Sequence, residues 1–242
     1  MSAEFRQRLA RRLEWQRAIN DSVKEPRNGL ATLAPLRQWQ SRRLAQSFKD
    51  FVANPMMRPA AEFFLSDLYA DRDFSARDRD AARVLPMMSR FLPDSLLRAA
   101  TDAIELAVLS HALDMRMAEH LASRPNPKAA ITIADYTRAY QHGNYRHLRQ
   151  HQIELVLRVG HALDAAVKKH GVYKLLRAAR IPAQMAGLSE LQGFLERGFH
   201  AFDALAGADE FLGQVAAREQ EASRRLFEAH PRPFDQLNSS SR

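Results

Sequence analysis

The chain has 242 residues, no cysteine and a formal net charge of +8. The missing cysteines exclude disulfides, thiolate nucleophiles and cysteine-based zinc sites. No apolar run reaches the roughly 18–20 residues that span a bilayer, and the first residues lack the apolar segment of a secretory signal. These features predict a cytoplasmic protein with no membrane span.

The predicted elements are helices throughout, because apolar residues recur at spacings of three and four and glycine is scarce. Proline and glycine end most of the segments. The sequence therefore predicts an all-α fold, a compact multi-helix bundle with two basic N-terminal helices. The predicted helices run over residues 4–24, 33–53, 59–70, 94–123, 132–141, 145–170, 173–180, 188–205 and 208–229. We divide the chain into a basic helical region at 1–54, a helical core domain at 55–229 and a flexible C-terminal tail at 230–242.

The two N-terminal helices carry most of the net charge. Residues 1–60 contain twelve Lys and Arg against five Asp and Glu, which is +7 of the total of +8. Guanidinium groups suit phosphates and carboxylates because their planar fork donates two hydrogen bonds at once. The predicted anion-binding residues are Arg6, Arg8, Arg11, Arg12, Arg17, Arg37, Arg42 and Arg43. The alternative is an arginine-rich helix surface that keeps the protein soluble and pairs with acids of the helical body.

Glu62 to Phe74 form an unusual segment, in which large apolar residues alternate with acids. We predict that the aromatics pack and that the acids organise the corner between two helices. The residues of this motif are Phe63, Phe64, Asp67, Tyr69, Asp71 and Asp73.

The tetrapeptide His-Ala-Leu-Asp occurs twice in the chain, at 111–114 and at 161–164. On a helix, residues three apart share one face, and helical bundles build metal sites from such side chains. A metal site of His111, Asp114, His161 and Asp164 is therefore one hypothesis. The other is a chance similarity of two amphipathic helices, since His111 lies on an apolar stripe and His161 on a polar face. We expect no cofactor.

A separate pair of histidines lies near the start of the segment 145–170. His147 and His151 are one helical turn apart, but Arg146 and Arg149 would repel a cation. We interpret this segment as a solvated surface or as an edge that binds anions.

The segments "FFLSDLY", "DFSARDRDAARVLP" and "GLSELQGFLERGFHAFDALAGADEFL" resemble an uncharacterised bacterial family that has a Phe-Phe-Leu-Glu-Glu-Leu-Tyr motif. The resemblance covers roughly residues 55–228 and implies an all-helical fold without a particular activity. The chain departs from the motif at Ser66 and Asp67, where the family has two glutamates. A serine cannot supply the carboxylate of a metal ligand or a general acid.

Phosphate-binding loops, dinucleotide fingerprints and the nucleophile elbow of hydrolases are all absent from the sequence. We therefore expect a non-enzymatic interaction or regulatory protein whose basic helical region binds an anionic macromolecule or an acidic protein. A helical metal-binding protein or enzyme that uses the acids and histidines of the core is the alternative.

Overall fold

The computed structural model describes residues 3–68, 80, 94–169, 171–205 and 207–235. These residues form ten α-helices and no strand, which confirms the all-α prediction. The helices are α1 (Ala3–Asn20), α2 (Leu33–Ser47), α3 (Lys49–Ala53), α4 (Arg58–Phe63), α5 (Asp94–Ala122), α6 (Ile133–Gln141), α7 (Arg146–Val167), α8 (Val172–Met185), α9 (Ser189–Asp203) and α10 (Asp209–Phe227).

The helix ends follow local chemistry in most places. Thr32 precedes α2, and a 3₁₀ turn at Pro26–Gly29 separates it from α1. At α6, Thr132 and Asp135 form a capping box, in which each side chain accepts a hydrogen bond from the other residue's backbone N–H. The helices that were predicted at 94–123, 188–205 and 208–229 agree with the structure to within about two residues, the usual uncertainty of a helix end.

Several predicted helices differ from the structure, and the first, predicted at 4–24, ends at Asn20. The segment 33–53 is interrupted at Phe48, where φ is −116° and ψ is 20°. The segment 59–70 is α-helical only to Phe63 and continues as a π-helix over Phe64–Leu68. A π-turn contains one extra residue per hydrogen-bonded loop, and no residue type signals it in a sequence.

Pro182 does not end a helix, so the prediction of a helix limited to 173–180 is wrong. α8 continues through Pro182 to Met185, and the carbonyl of Pro182 accepts a hydrogen bond from the N–H of Ala186. Proline removes one N–H donor, but the flanking backbone is exposed here, so water can satisfy the carbonyl that loses its partner.

α5 and α7 form the centre of the bundle and run antiparallel. Asp102 pairs with Arg158, and the Ser110 hydroxyl, later in α5, accepts a hydrogen bond from Gln152, which is earlier in α7. Gly160 of α7 allows a close approach to α10, since a Cβ at this position would lie 2.4 Å from the Leu212 side chain.

Two large apolar clusters fill the bundle. The first, cluster A, joins Leu9 and Leu13 of α1 to Ile104 and Val108 of α5, together with residues of α2, α6 and α10. The second, cluster B, joins the end of α2 and the helices α3 and α4 to α7, α9 and α10. α2 belongs to both clusters, because Leu36 lies in cluster A and Leu44 in cluster B. The N-terminal helices are therefore packed on the body of the protein.

The end of the described chain also contacts this body. Phe234 lies 5.8 Å from Trp39 and 5.9 Å from Tyr136, measured between ring centroids. The rings of Trp39 and Tyr136 stack on each other, with their centroids 4.2 Å apart. Residues 236–242 lie outside the described part, and the boundaries 1–54, 55–229 and 230–242 stay predictions.

Candidate functional site

Four of the predicted anion-binding arginines are exposed on the two N-terminal helices. Arg8, Arg11 and Arg17 lie on α1, and Arg42 lies on α2. None of the four forms an ion pair within the described part of the chain. We call these four residues the arginine surface. Their guanidinium groups are available to an external anion.

Three other arginines of the predicted set pair with acids of the body. Arg12 lies 2.7 Å from Glu105, Arg37 lies 3.6 Å from Asp114, and Arg43 forms two hydrogen bonds with Glu219. These pairs correspond to the alternative that the sequence left open, in which N-terminal arginines neutralise acids of the helical body. The eighth residue, Arg6, belongs to α1, and its side chain lies outside the described part.

The ion pair of Arg12 is part of a small polar cluster between three helices. Glu105 of α5 accepts from Arg12 of α1 and also lies 3.0 Å from His151 Nε2 of α7. The Glu105 side chain is only 10% exposed, because it lies beside the apolar residues through which α1 packs on α5. The cluster therefore fixes the position of α1 on the central helix pair, and it gives His151 an acidic partner that the sequence did not indicate.

His111 lies in a second polar cluster, at the junction of α2 and α5. Arg37 Nη2 lies 2.5 Å from His111 Nδ1, and Asn28 Oδ1 lies 2.7 Å from His111 Nε2. A guanidinium can only donate, so Nδ1 accepts and the imidazole carries its proton on Nε2. Burial and the charge of Arg37 lower the pKa of His111, which favours this neutral form.

A pH-dependent loss of stability follows from the lowered pKa of His111. Below its usual pKa of about 6.5, the unfolded chain binds a proton that the folded chain resists, so the free energy of unfolding falls with pH. We expect His111→Gln to reduce this loss, measured by urea unfolding at neutral pH and at about pH 5.5. The charges of Asp114 and Glu25 act to raise the pKa of His111, and both acids are present in the wild type and in the variant. An unchanged pH dependence in the variant would contradict this assignment.

The second His-Ala-Leu-Asp segment has different neighbours. His161 Nδ1 lies 3.4 Å from Asp209 at the start of α10, and Asp164 accepts a hydrogen bond from Lys168 at 2.6 Å. In the first segment, Asp114 accepts a hydrogen bond from Gln40 and faces Arg37. The antiparallel course of α5 and α7 places the two segments at different heights, so the structure does not bring them together. Within the described residues, no group of three or more His, Asp and Glu side chains forms a metal site.

The Phe-Phe motif lies between α4 and α9. Phe63 and Phe64 are buried in cluster B, and Phe63 lies 5.4 Å from Phe194 and close to Gly198. Asp67 is also buried and accepts two hydrogen bonds from Arg197, at 2.6 and 2.9 Å. The packing role predicted for the aromatics thus agrees with their burial. Tyr69, Asp71 and Asp73 lie outside the described residues.

The histidine segment of α7 borders a shallow cleft of about 350 Å³ between the start of α7 and the end of α10. Arg146, His147 and Arg224 line it, together with Ser223 and Phe227. The charge of Arg224 is already compensated, because Glu221 and Glu228 both accept hydrogen bonds from it. Arg146 lies over the Phe227 ring, with its guanidinium carbon 4.2 Å from the ring centroid. The cleft therefore offers an anion less positive charge than its sequence indicates.

The exposed side of α8 was not identified from the sequence, which predicted only a helix at 173–180. None of the residues of α8 is buried, and large apolar side chains on it are exposed to solvent. A signal was available, because residues 165–189 contain five Lys and Arg and no Asp or Glu. None of the helices that the structure describes is long and apolar enough to cross a membrane.

Residues 20–233 match the family model described as "Domain of unknown function (DUF8198)". The chain belongs to this family. The DUF8198 match includes α2 to α10 and begins at the last residue of α1. Three residues of the arginine surface, Arg8, Arg11 and Arg17, thus precede the matched range, whereas Arg42 and the whole of α8 lie inside it. No curated protein and no solved structure matches the chain.

Proposed function

We propose that this member of the DUF8198 family is a non-enzymatic interaction or regulatory protein that binds an anionic macromolecule through its arginine surface. The observation that supports the proposal is that Arg8, Arg11, Arg17 and Arg42 are exposed and form no ion pair within the described residues. The positive charge of the N-terminal helices is therefore only partly compensated by the protein itself.

The packing of α1 supports this role. Leu9 and Leu13 bury one side of the helix in cluster A, and Arg12 pairs with Glu105 beside them. Arg8, Arg11 and Arg17 lie around the remaining, solvent-exposed circumference of the helix. Anchoring in this way fixes the backbone of the helix, so only the arginine side chains lose conformational entropy when a partner binds.

Arginine at these positions favours phosphate-bearing or carboxylate-bearing partners. A guanidinium offers two parallel hydrogen bonds to either group. The sequence contains no motif that reads base edges, so binding to a nucleic acid is expected to depend weakly on base sequence. We propose further that the protein acts in the bacterial cytoplasm and carries a variant of the Phe-Phe-Leu-Glu-Glu-Leu-Tyr motif, as its resemblance implies.

The test is polyanion binding of the full chain with three charges removed from α1. We expect Arg8→Gln, Arg11→Gln and Arg17→Gln together to weaken binding to heparin and to a single-stranded oligonucleotide. On a single strand, each lost phosphate contact reduces the magnitude of the slope of log K against log salt by about 0.7, so the three replacements together are expected to reduce it by about two. Fluorescence titration at several salt concentrations measures both quantities.

The matched control removes three exposed cations from other parts of the chain. The variant Arg98→Gln, Arg116→Gln, Lys128→Gln has the same change in net charge, and each of these side chains is exposed. It is expected to keep most of the affinity and the slope of the wild type. Equal losses in the two triple variants would show that binding follows net charge alone and would remove the arginine surface from the function. Deleting α1 and α2 is unsuitable as a test, because their leucines form part of cluster A.

A further inference from the structure

The exposed side of α8 carries a stripe of large apolar side chains. Leu175 is 62% exposed, Ile181 68% and Met185 85%. Ala178 and Pro182 are also exposed and lie between them along the helix. The opposite side of α8, with Val172, Leu176, Ala179 and Ala183, rests partly buried against the protein. α8 is thus attached along one side and open along the other.

Positive charge accompanies the apolar stripe. Lys174 precedes Ile181 by seven residues and Met185 by eleven, which places its side chain on the same side of the helix as theirs. Arg177 is exposed beside them, and neither Lys174 nor Arg177 forms an ion pair within the described residues. Arg180 and Lys168 are compensated by Glu196 and Asp164. The open side of α8 therefore combines apolar groups with uncompensated cations.

We propose that α8 is a docking surface for an anionic phospholipid bilayer, on which the helix lies in the plane of the membrane surface. Amphipathic helices that bind in this way insert apolar side chains at the level of the head groups and place lysine and arginine beside the phosphates. Leu175, Ile181 and Met185 supply the apolar contact, and Lys174 and Arg177 supply the charge.

The position of Lys174 favours a bilayer over a protein groove. Lys174 is on the same side of α8 as Ile181 and Met185, so in an apolar protein groove its ammonium would need a buried acid as partner. At a membrane surface, the apolar stem of the lysine lies along the lipid while the ammonium extends to the head groups. A second copy of the chain is a poor occupant of this surface, because the open side of α8 carries the uncompensated Lys174 and Arg177 and α8 contains no acid, so two such surfaces repel each other.

The experiment is co-sedimentation of the full-length protein with lipid vesicles. We expect binding to vesicles of phosphatidylcholine mixed with phosphatidylserine, and binding weaker by about tenfold or more to phosphatidylcholine alone, because each cation near an anionic surface contributes to affinity. The double variant Ile181→Ser, Met185→Gln is expected to lose about tenfold in affinity for the anionic vesicles, since it removes apolar contact from exposed side chains.

The matched control is Val23→Ser, Met56→Gln, in which two other exposed apolar side chains are replaced, 88% and 58% exposed respectively. This control is expected to bind anionic vesicles like the wild type. Circular dichroism is expected to show the same helix content in all three proteins, as the replaced side chains are exposed.

Three results would overturn the proposal. They are an absence of binding to anionic vesicles, equal binding by the wild type and the α8 double variant, and a dimer in light scattering that the double variant converts to a monomer. The last result would identify a second copy of the chain as the occupant of α8. The two proposals are tested by separate variants. The α8 double variant changes apolar side chains and tests membrane binding, whereas the arginine-surface variant changes charged side chains of α1 and tests polyanion binding.

Discussion

Replacing Glu219 by glutamine is expected to lower the free energy of unfolding by about 3–5 kcal/mol, the usual effect of removing one partner from a buried ion pair. Arg43 Nη1 and Nη2 bind the two carboxylate oxygens of Glu219 at 2.5 and 3.1 Å. The Arg43 side chain is only 12% exposed, and its guanidinium carbon lies 4.9 Å from the centroid of the Phe234 ring. A guanidinium does not lose its proton in a protein, so Glu219→Gln leaves the buried charge of Arg43 without a counterion.

Urea unfolding at constant pH measures this effect. A double variant, Arg43→Met with Glu219→Leu, is the control, since it removes both charges and keeps similar volumes. We expect it to recover most of the loss, because burying two apolar side chains costs no desolvation of charge. If Glu219→Gln changed the unfolding free energy by less than about 1 kcal/mol, the pair would behave like an exposed ion pair and the assignment would be wrong.

Replacing Phe63 by alanine is expected to lower the free energy of unfolding by about 3–5 kcal/mol, the range for a phenylalanine removed from a packed core. Phe63 is 4% exposed and lies against Phe194 and Gly198 of α9. A Cβ at Gly198 would lie 2.9 Å from the Phe63 ring, so the ring fills the space that the glycine leaves. Thermal or urea unfolding measures the loss.

The matched variant for Phe63 is Phe63→Leu, which keeps most of the buried volume. We expect it to cost less than half as much as the alanine variant, because the cavity that remains is smaller. Polyanion binding at a temperature where both variants are folded is expected to match the wild type. A lost binding activity with unchanged stability would instead place the Phe-Phe motif in the functional site.

Local chemistry explains what the sequence predicted well. The capping box at Thr132 and Asp135 involves residues three apart, and the long helices show apolar spacing over several turns. The position of Pro182 inside α8 was not predictable in the same way, because proline is tolerated in a helix only where the surroundings satisfy the freed backbone groups. The surroundings depend on which side of α8 is exposed, and this is a property of the folded chain.

The roles of neighbouring arginines show where sequence reasoning ends. Arg42 and Arg43 are adjacent and have the same chemistry, yet one is exposed and the other pairs with Glu219, 176 residues away. Consecutive residues of a helix differ by about 100° in direction, so a rotation of α2 by that angle would exchange their roles. The buried leucines Leu33, Leu36 and Leu44 indicate which side of α2 faces the core, but the partner of Arg43 lies on α10 and cannot be inferred from the sequence of α2.

The shared core of α1, α2 and α5 also has a consequence for synthesis of the chain. Leu9, Leu13 and Leu36 find their apolar partners in α5, whose last residue is Ala122. During translation, the apolar sides of the first two helices therefore stay exposed while the following helices are made. The arginines that alternate with these leucines keep the nascent helices charged during this interval, and like charges oppose association between chains emerging from neighbouring ribosomes.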